Sequence, residues 1–208
     1  MRLFDKFDKV FCVNLDRRPD RMLHFEEQVK KYDLGEFERV SAVDGKNLDI
    51  SNFKISAGEL GLVLTNLNII EKSISNRYES ILILEDDCIF TDEIKEVDNY
   101  FSVLPKDWDM LYMGGNHNTH MGILNPYYVN EKVCKLHSTY STHFVGIKKV
   151  MFTKIYNLLK TKSKPLDMFY VELQKDNQVY SFYPALAKQI VDFSDIQNNV
   201  TDYNWLIK

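Results

Sequence analysis

Glu85, Asp86 and Asp87 stand together at the end of the apolar run Ile81-Leu82-Ile83-Leu84. Three adjacent carboxylates are costly to concentrate, and their repulsion must be relieved by solvent, by protonation or by a cation. A divalent ion is one efficient remedy. Mg2+ or Mn2+ held by one or two carboxylates keeps open positions for phosphate oxygens, where it neutralises charge on a diphosphate leaving group. The plainer reading is a wet turn; against it stands the buried strand that aims the acids.

A second cluster, Asn14-Leu15-Asp16-Arg17-Arg18-Pro19-Asp20-Arg21, closes one predicted strand and opens a helix. Helix-start amides with guanidinium groups suit an anionic ligand, although an Arg pair at a turn also serves as a solvated face. Asp44 and Gly45 follow another strand and are first of all a turn dipeptide, with a place beside the same crevice as the alternative. His117, His120, His137 and His143 lie in or after a long loop, where an imidazole could complete a metal shell or bind a hydroxyl, but no pair has zincin spacing. Asp167, after Lys164-Pro165-Leu166, either caps a helix or acts as a general base toward an acceptor hydroxyl; spacing alone does not choose. The 12 Tyr and 13 Phe could stack on sugars or bases, yet most must fill the core.

The elements that would position these groups are legible. Lys9 to Asn14 reads as a buried strand, and Pro19 starts a helix whose Met22, Phe25, Val29 and Tyr32 form one apolar stripe. Residues 37–43 predict a strand. Ser56 and Glu59 have the spacing of a capping box, opening a helix to about Asn76 with Leu60, Leu64, Leu67, Ile70 and Ile74 facing inward. After the strand 81–84, Ile94, Val97, Phe101 and Leu104 mark another helix and residues 109–113 another strand, broken at Gly114-Gly115. Residues 116–128 form a long loop. Strands at 133–137 and 140–147, a helix over 148–159, a strand at 180–183 and a tail from Phe193 complete the chain. Alternating strands and helices predict an α/β fold, a mostly parallel central sheet flanked by helices, with ligands beyond the strands' carboxyl ends.

Composition limits the partners. With 208 residues, 45% hydrophobic and 27% charged, the chain can bury a core as one domain, which excludes disorder. Its 26 basic and 30 acidic residues give a net charge of −4, and no Lys/Arg block is present, so nucleic acid is not an expected partner. Cys12, Cys88 and Cys134 are too scattered for a disulfide framework or a thiolate zinc site and are expected as small buried residues. Met1 to Asp8 is interrupted by acids and lacks a signal peptide's apolar stretch, and no segment is long enough for a membrane span. A cytoplasmic protein is the expectation, meeting any membrane-linked substrate by peripheral contact.

Taken in order, these pieces resemble glycosyltransferase family 25, the group of lipopolysaccharide and lipooligosaccharide glycosyltransferases that includes procollagen galactosyltransferase domains. The resemblance rests on Val10 through Arg21, Val40-Ser41-Ala42-Val43-Asp44-Gly45, Gly58-Glu59-Leu60-Gly61 and Ile83-Leu84-Glu85-Asp86-Asp87. Asp107-Trp108-Asp109, Pro165-Leu166-Asp167 and Ser194-Asp195-Ile196 follow in the same order, the last preceded by Pro184 and Gln189. It implies a GT-A-type nucleotide-diphospho-sugar transferase fold, a UDP-hexose donor and Mn2+ or Mg2+. Residues 1–115 would form the nucleotide-sugar-binding part, and 116–208 the acceptor side and tail.

Carried over, Asp87 is the leading metal ligand, with Glu85 and Asp86 on the ion, ribose or sugar. Asn14, Arg17, Arg18, Arg21, Asp44 and Gly45 lie near the nucleotide, and Asp167 is the base for inverting attack by an acceptor hydroxyl on a glycan, glycolipid or protein. One position departs from the family pattern: Val63-Leu64-Thr65-Asn66 stands where members commonly have a small residue, Leu, Ser and His. Asn cannot take up a proton near neutral pH. If that His transfers a proton, this chain is slow, differently specific or inactive, so a catalytically degenerate binding or regulatory module is the alternative. A phosphotransferase or nuclease is disfavoured by the missing Gly-rich phosphate loop and the negative charge.

Overall fold

Every second residue of the first strand belongs to a different core. In β1 (Lys9–Asn14), Val10 and Cys12 pack on one face of the sheet, and Phe11 and Val13 on the other. The computed structural model describes residues 1–116, 127–190, 192–194 and 199–201. His117, His120, Asp195 and Ile196 lie outside the described residues, as does most of the predicted tail.

The elements follow as α1 (Pro19–Lys31), β2 (Glu38–Ser41), α2 (Ala57–Ser75), β3 (Ser80–Glu85), β4 (Cys88–Phe90), α3 (Val97–Ser102) and β5 (Met110–Asn116). Then come β6 (Tyr127–Asn130), β7 (Val133–Lys135), β8 (Tyr140–Lys148), α4 (Lys149–Leu159), α5 (Leu166–Gln174), β9 (Val179–Phe182), β10 (Ala187–Gln189), β11 (Asp192–Ser194) and β12 (Asn199–Thr201). A 3-10 turn over Asp92–Glu96 precedes α3 and takes up the first part of the helix predicted there.

The main sheet has the order β2-β1-β3-β8-β5-β9-β7-β6. Its faces are covered by α1 and α3 on one side and by α2, α4 and α5 on the other. Strands buried on both faces need no polar alternation, which is why β3 reads as an unbroken apolar run. The α/β architecture and the flanking helices are as expected, but the sheet is mixed rather than mostly parallel. β1 pairs parallel with β2 and β3, and β5 with β9; β8 runs antiparallel to β3 and β5, and β7 to β9 and β6. The β6–β7 pair is a hairpin too short for a crossover helix, and β8 inserts antiparallel between β3 and β5. Because β8 sits between β3 and β5, the two halves of the sequence share one sheet.

The capping box forms: Ser56 Oγ accepts from Glu59 N–H at 3.2 Å and Glu59 Oε2 from Ser56 N–H at 2.7 Å. The inward face of α2 differs from the predicted stripe. Leu64 is half-buried and Ile74 exposed, whereas Val63, Thr65, Asn66 and Ile69 are buried. α2 packs against both α4 and the turn at Gly45, which buries a wider arc than one stripe. The three cysteines are buried and free, as expected.

Gln28 closes the outer edge of β4. Its Nε2 donates to Cys88 O at 2.8 Å and its Oε1 accepts from Phe90 N–H at 2.9 Å, so a buried side chain takes the place of a neighbouring strand. Gln28→Leu leaves both backbone groups unpaired, at about 1–3 kcal/mol each. The expected result is a melting-temperature drop of about 5–15 °C in calorimetry; a drop below about 2 °C would show that β4 does not depend on Gln28.

Candidate active site

β1, β2 and β3 are parallel, so their carboxyl ends meet at one edge. Asn14 lies opposite Ser41, Val13 opposite Glu85, and Asp86 N–H donates to Val13 O at 3.1 Å. The antiparallel β8 begins at this edge, and Thr142 Oγ1 donates to Glu85 Oε1 at 3.0 Å. From the far side β10, paired with β4, brings Gln189, whose Nε2 donates to Asp87 Oδ2 at 3.2 Å.

The three acids are held differently. Asp86 is buried and accepts from Asn14 Nδ2 at 2.6 Å and from Arg21 Nη1 at 3.5 Å. Burial raises its pKa, while Asn14, Arg21 and Arg18 oppose the rise. Asn14 Oδ1 in turn accepts from Arg39 Nε at 2.9 Å, and Arg39 reaches Asp16 at 2.6 Å. Glu85 is pushed up to about 8, mainly by burial and then by the charge of Asp87, with Thr142 opposing. Asp87 is pushed up to about 6 by burial and then by Asp86, against Arg21 and Gln189. Among the described residues its Oδ1, shut off from solvent, has no hydrogen-bond partner.

Only two other buried side-chain atoms lack a partner among the described residues, His143 Nε2 and Tyr170 OH. Tyr170 feels the charge of Glu85, and His143 touches Ser141. These groups lie around the same acids. His143 is fully buried and held neutral, its pKa lowered to about 4 by burial, the Ala187 backbone only partly offsetting this. His137 is half-buried between β7 and β8.

Arg17 and Asp44 form an ion pair at 2.7 Å, which joins the Arg-rich turn to the Asp-Gly turn. Asp44 Oδ1 also accepts from Lys46 N–H at 3.0 Å, capping a 3-10 turn at Gly45–Asn47. That turn lies hard against the start of α2. A Cβ on Gly45 would fall 2.2 Å from Ala57 O, and one on Gly61 would fall 2.4 Å from Val43 O. Both glycines therefore serve close backbone approach, and Asp44 is fixed in place by it. Arg18 pairs with Asp20 at 2.9 Å.

Asp167 is the second residue of α5 and accepts from Met168 N–H at 2.8 Å; it is not the helix cap, a position held by Pro165. Burial raises its pKa and the charge of Glu59 adds to the rise. Asp167 also raises the pKa of Glu85, so Glu59, Asp167 and Glu85 share one acidic neighbourhood. Asn66 is buried and donates to Leu62 O at 3.0 Å, one turn back in its own helix.

No three His, Cys, Asp or Glu side chains among the described residues form a metal cage of their own. A hard cation that takes one or two carboxylates and completes its shell with water and phosphate needs no such cage. The unpartnered Asp87 Oδ1, with Glu85 beside it, fits that donor set. Thr142, Ser141, Gln189, Arg39 and Tyr170 also enter the site. Of these only Gln189 carried a sequence signal, as part of the family pattern.

Residues 7–168 match the family described as "Glycosyltransferase family 25 (LPS biosynthesis protein)". The chain belongs to glycosyltransferase family 25. Among relatives of this family 25 chain, human procollagen galactosyltransferase 2 is 28% identical over 131 residues, covering 52% of this chain and 21% of that protein. The mouse "Inactive glycosyltransferase 25 family member 3" is 25% identical over 130 residues, covering 52% and 22%. This chain thus spans about a fifth of the length of these curated relatives. A solved glycosyltransferase involved in glycosylation of the major capsid of PBCV-1 superposes with TM-score 0.53 and 9% identity over 91% of this chain and 95% of that one. The α/β fold of this family 25 chain is accordingly of the GT-A kind.

Proposed function

We propose that this chain transfers a hexosyl group, galactose or glucose, from a UDP-sugar to an acceptor hydroxyl on a glycan, glycolipid or protein, inverting the anomeric centre with Mn2+ or Mg2+ at the acids. The observation that carries this reading is Asp87 Oδ1, a buried carboxylate oxygen without a hydrogen-bond partner among the described residues, at the edge where three parallel strands end. Asp87 and Glu85 would hold the ion, which when bound supplies positive charge that offsets the diphosphate's negative charge. Family membership supports a nucleotide-sugar donor, and the procollagen galactosyltransferase relatives support galactose.

The residues of the chain take the remaining roles. Arg17, Arg18, Arg21 and the first amides of α1 face the phosphates. Asp86 braces Asn14 and Arg21, and Asp44 with Gly45 bounds the nucleotide from the α2 side. Asp167 takes the proton of the acceptor hydroxyl as that oxygen attacks the anomeric carbon from the face opposite UDP. The electron pair of the broken carbon–oxygen bond departs with UDP, and the raised pKa of Asp167 makes it a stronger base. Residues 1–115 would serve the donor, with Thr142 and Gln189 reaching its acids from 116–208, which otherwise serves the acceptor.

A second reading, a binding module without turnover, is favoured by Asn66, which is turned back onto its own helix, and by relatives whose names call them inactive. A panel of UDP- and GDP-sugars, with and without Mn2+, separates the two. Metal-dependent release of UDP supports the enzyme; tight UDP binding without turnover supports the module. Failure to bind any nucleotide overturns both.

A further inference from the structure

We infer that Gln189, oriented by Ser141 and His143, is a positioning residue that clamps one oxygen of Asp87 so that the other is presented to the cation; this rests on the proposed metal-dependent reading. The four groups form one chain. Gln189 Nε2 donates to Asp87 Oδ2 at 3.2 Å, Ser141 Oγ donates to Gln189 Oε1 at 3.1 Å, and Ser141 Oγ lies 2.6 Å from His143 Nδ1.

Hydrogen-bond chemistry fixes the Gln189 end of this chain. A carboxylate only accepts, so Gln189 must present its NH2 end to Asp87, and its Oε1 is left facing Ser141. Where the one hydroxyl proton of Ser141 goes to Oε1, the 2.6 Å contact with His143 has Nδ1–H donating to Ser141 Oγ. His143 Nε2, near the Ala187 carbonyl, is one of the three buried side-chain atoms without a hydrogen-bond partner among the described residues. The orientation thus passes from a neutral imidazole to the Asp87 carboxylate, and Oδ1 is the atom it leaves open.

Two independent features of the backbone show that the chain is built in. Ser141 has φ +71°, in the left-handed region that a serine seldom adopts, at the register break where β5 pairs with the start of β8. Strain of this kind persists where the surroundings enforce it, and here it delivers the hydroxyl to both Gln189 and His143. Opposite, a Cβ on Gly114 would fall 2.4 Å from His143 Nε2 and 2.8 Å from Ala187 O, so a glycine makes room for the imidazole.

Ser141→Gly and Gln189→Ala test the inference in the full chain, by titrating Mn2+ in the presence of UDP with an electron paramagnetic resonance readout. Loss of a group that orients a metal ligand weakens the metal by about 10- to 100-fold. Each variant is expected to weaken Mn2+ by about tenfold or more, and the double variant no further than Gln189→Ala, because both act through one contact. Ser141→Gly relieves the left-handed backbone but leaves Gln189 Oε1 and the buried His143 ring without their hydroxyl partner, so the melting temperature falls by a few degrees whatever the role, and the Mn2+ affinity is the readout that decides. A merely structural role would leave the metal unmoved. Parent protein that binds Mn2+ with both variants matching it overturns this inference alone; parent protein that binds no Mn2+ in the presence of UDP overturns the proposed function with it.

Discussion

Asp87→Asn removes turnover, by about 10³-fold, and raises the melting temperature of the metal-free protein by a few degrees at about pH 8. The loss follows from the role given to Oδ1: several kcal/mol of stabilisation of the leaving diphosphate disappear, at about 1.36 kcal/mol per tenfold in rate. The gain in stability has a definite sign. Folding raises the pKa of Asp87 from 3.8 to about 6 and that of Glu85 from 4.5 to about 8. Between the unfolded and folded values the native protein holds protons that the unfolded chain has released, so stability falls as pH rises through roughly 4 to 8. The uncharged amide of Asp87→Asn takes no part in that fall, and Glu85→Gln should remove its upper part. Melting curves from about pH 4 to about pH 8 check this, with the margin of each variant over the parent widening as pH rises. A margin that is constant or shrinking would mean that these acids are not held at a cost. Such an exchange of stability for a charged cluster is common at functional sites.

Asp167→Asn is expected to lower kcat by about 10²- to 10⁴-fold while leaving the affinity for Mn2+ and UDP within about threefold. The amide keeps the shape of the side chain but cannot accept the acceptor's proton. Because burial and Glu59 raise the carboxyl's pKa, the acid limb of the kcat profile in the parent should lie above the ordinary carboxylate range. A variant that keeps kcat within about threefold of the parent would take the base role away from Asp167 and direct attention to Glu59 or Tyr170.

The sequence carried the skeleton of this site because its local signals are strong. An unbroken apolar run ending in three acids fits a doubly covered strand aimed at a polar edge, and β3 with Glu85, Asp86 and Asp87 is that. The capping box at Ser56 and Glu59 is satisfied by four consecutive residues and needs no tertiary knowledge. The mixed sense of the sheet was less legible, since the insertion of β8 between β3 and β5 is decided by contacts far apart in sequence. The same holds within the site. Thr142 lies 57 residues from Glu85, and Gln189 lies 102 from Asp87, so no spacing rule could have paired them. Asp44 and Gly45 read as an ordinary turn until the start of α2 is seen pressed against them. Asp167 read equally well as a cap or a base, and the structure removes the cap by giving that place to Pro165.

Titration calorimetry of UDP into the full chain, with Mn2+ and then with excess chelator, addresses the central claim most directly when parent and Asp87→Asn are run side by side. The expected result is UDP binding that depends on Mn2+ in the parent and loses that dependence in the variant. Equal UDP affinity with and without the ion in the parent, or an undiminished Mn2+ effect in Asp87→Asn, would contradict it.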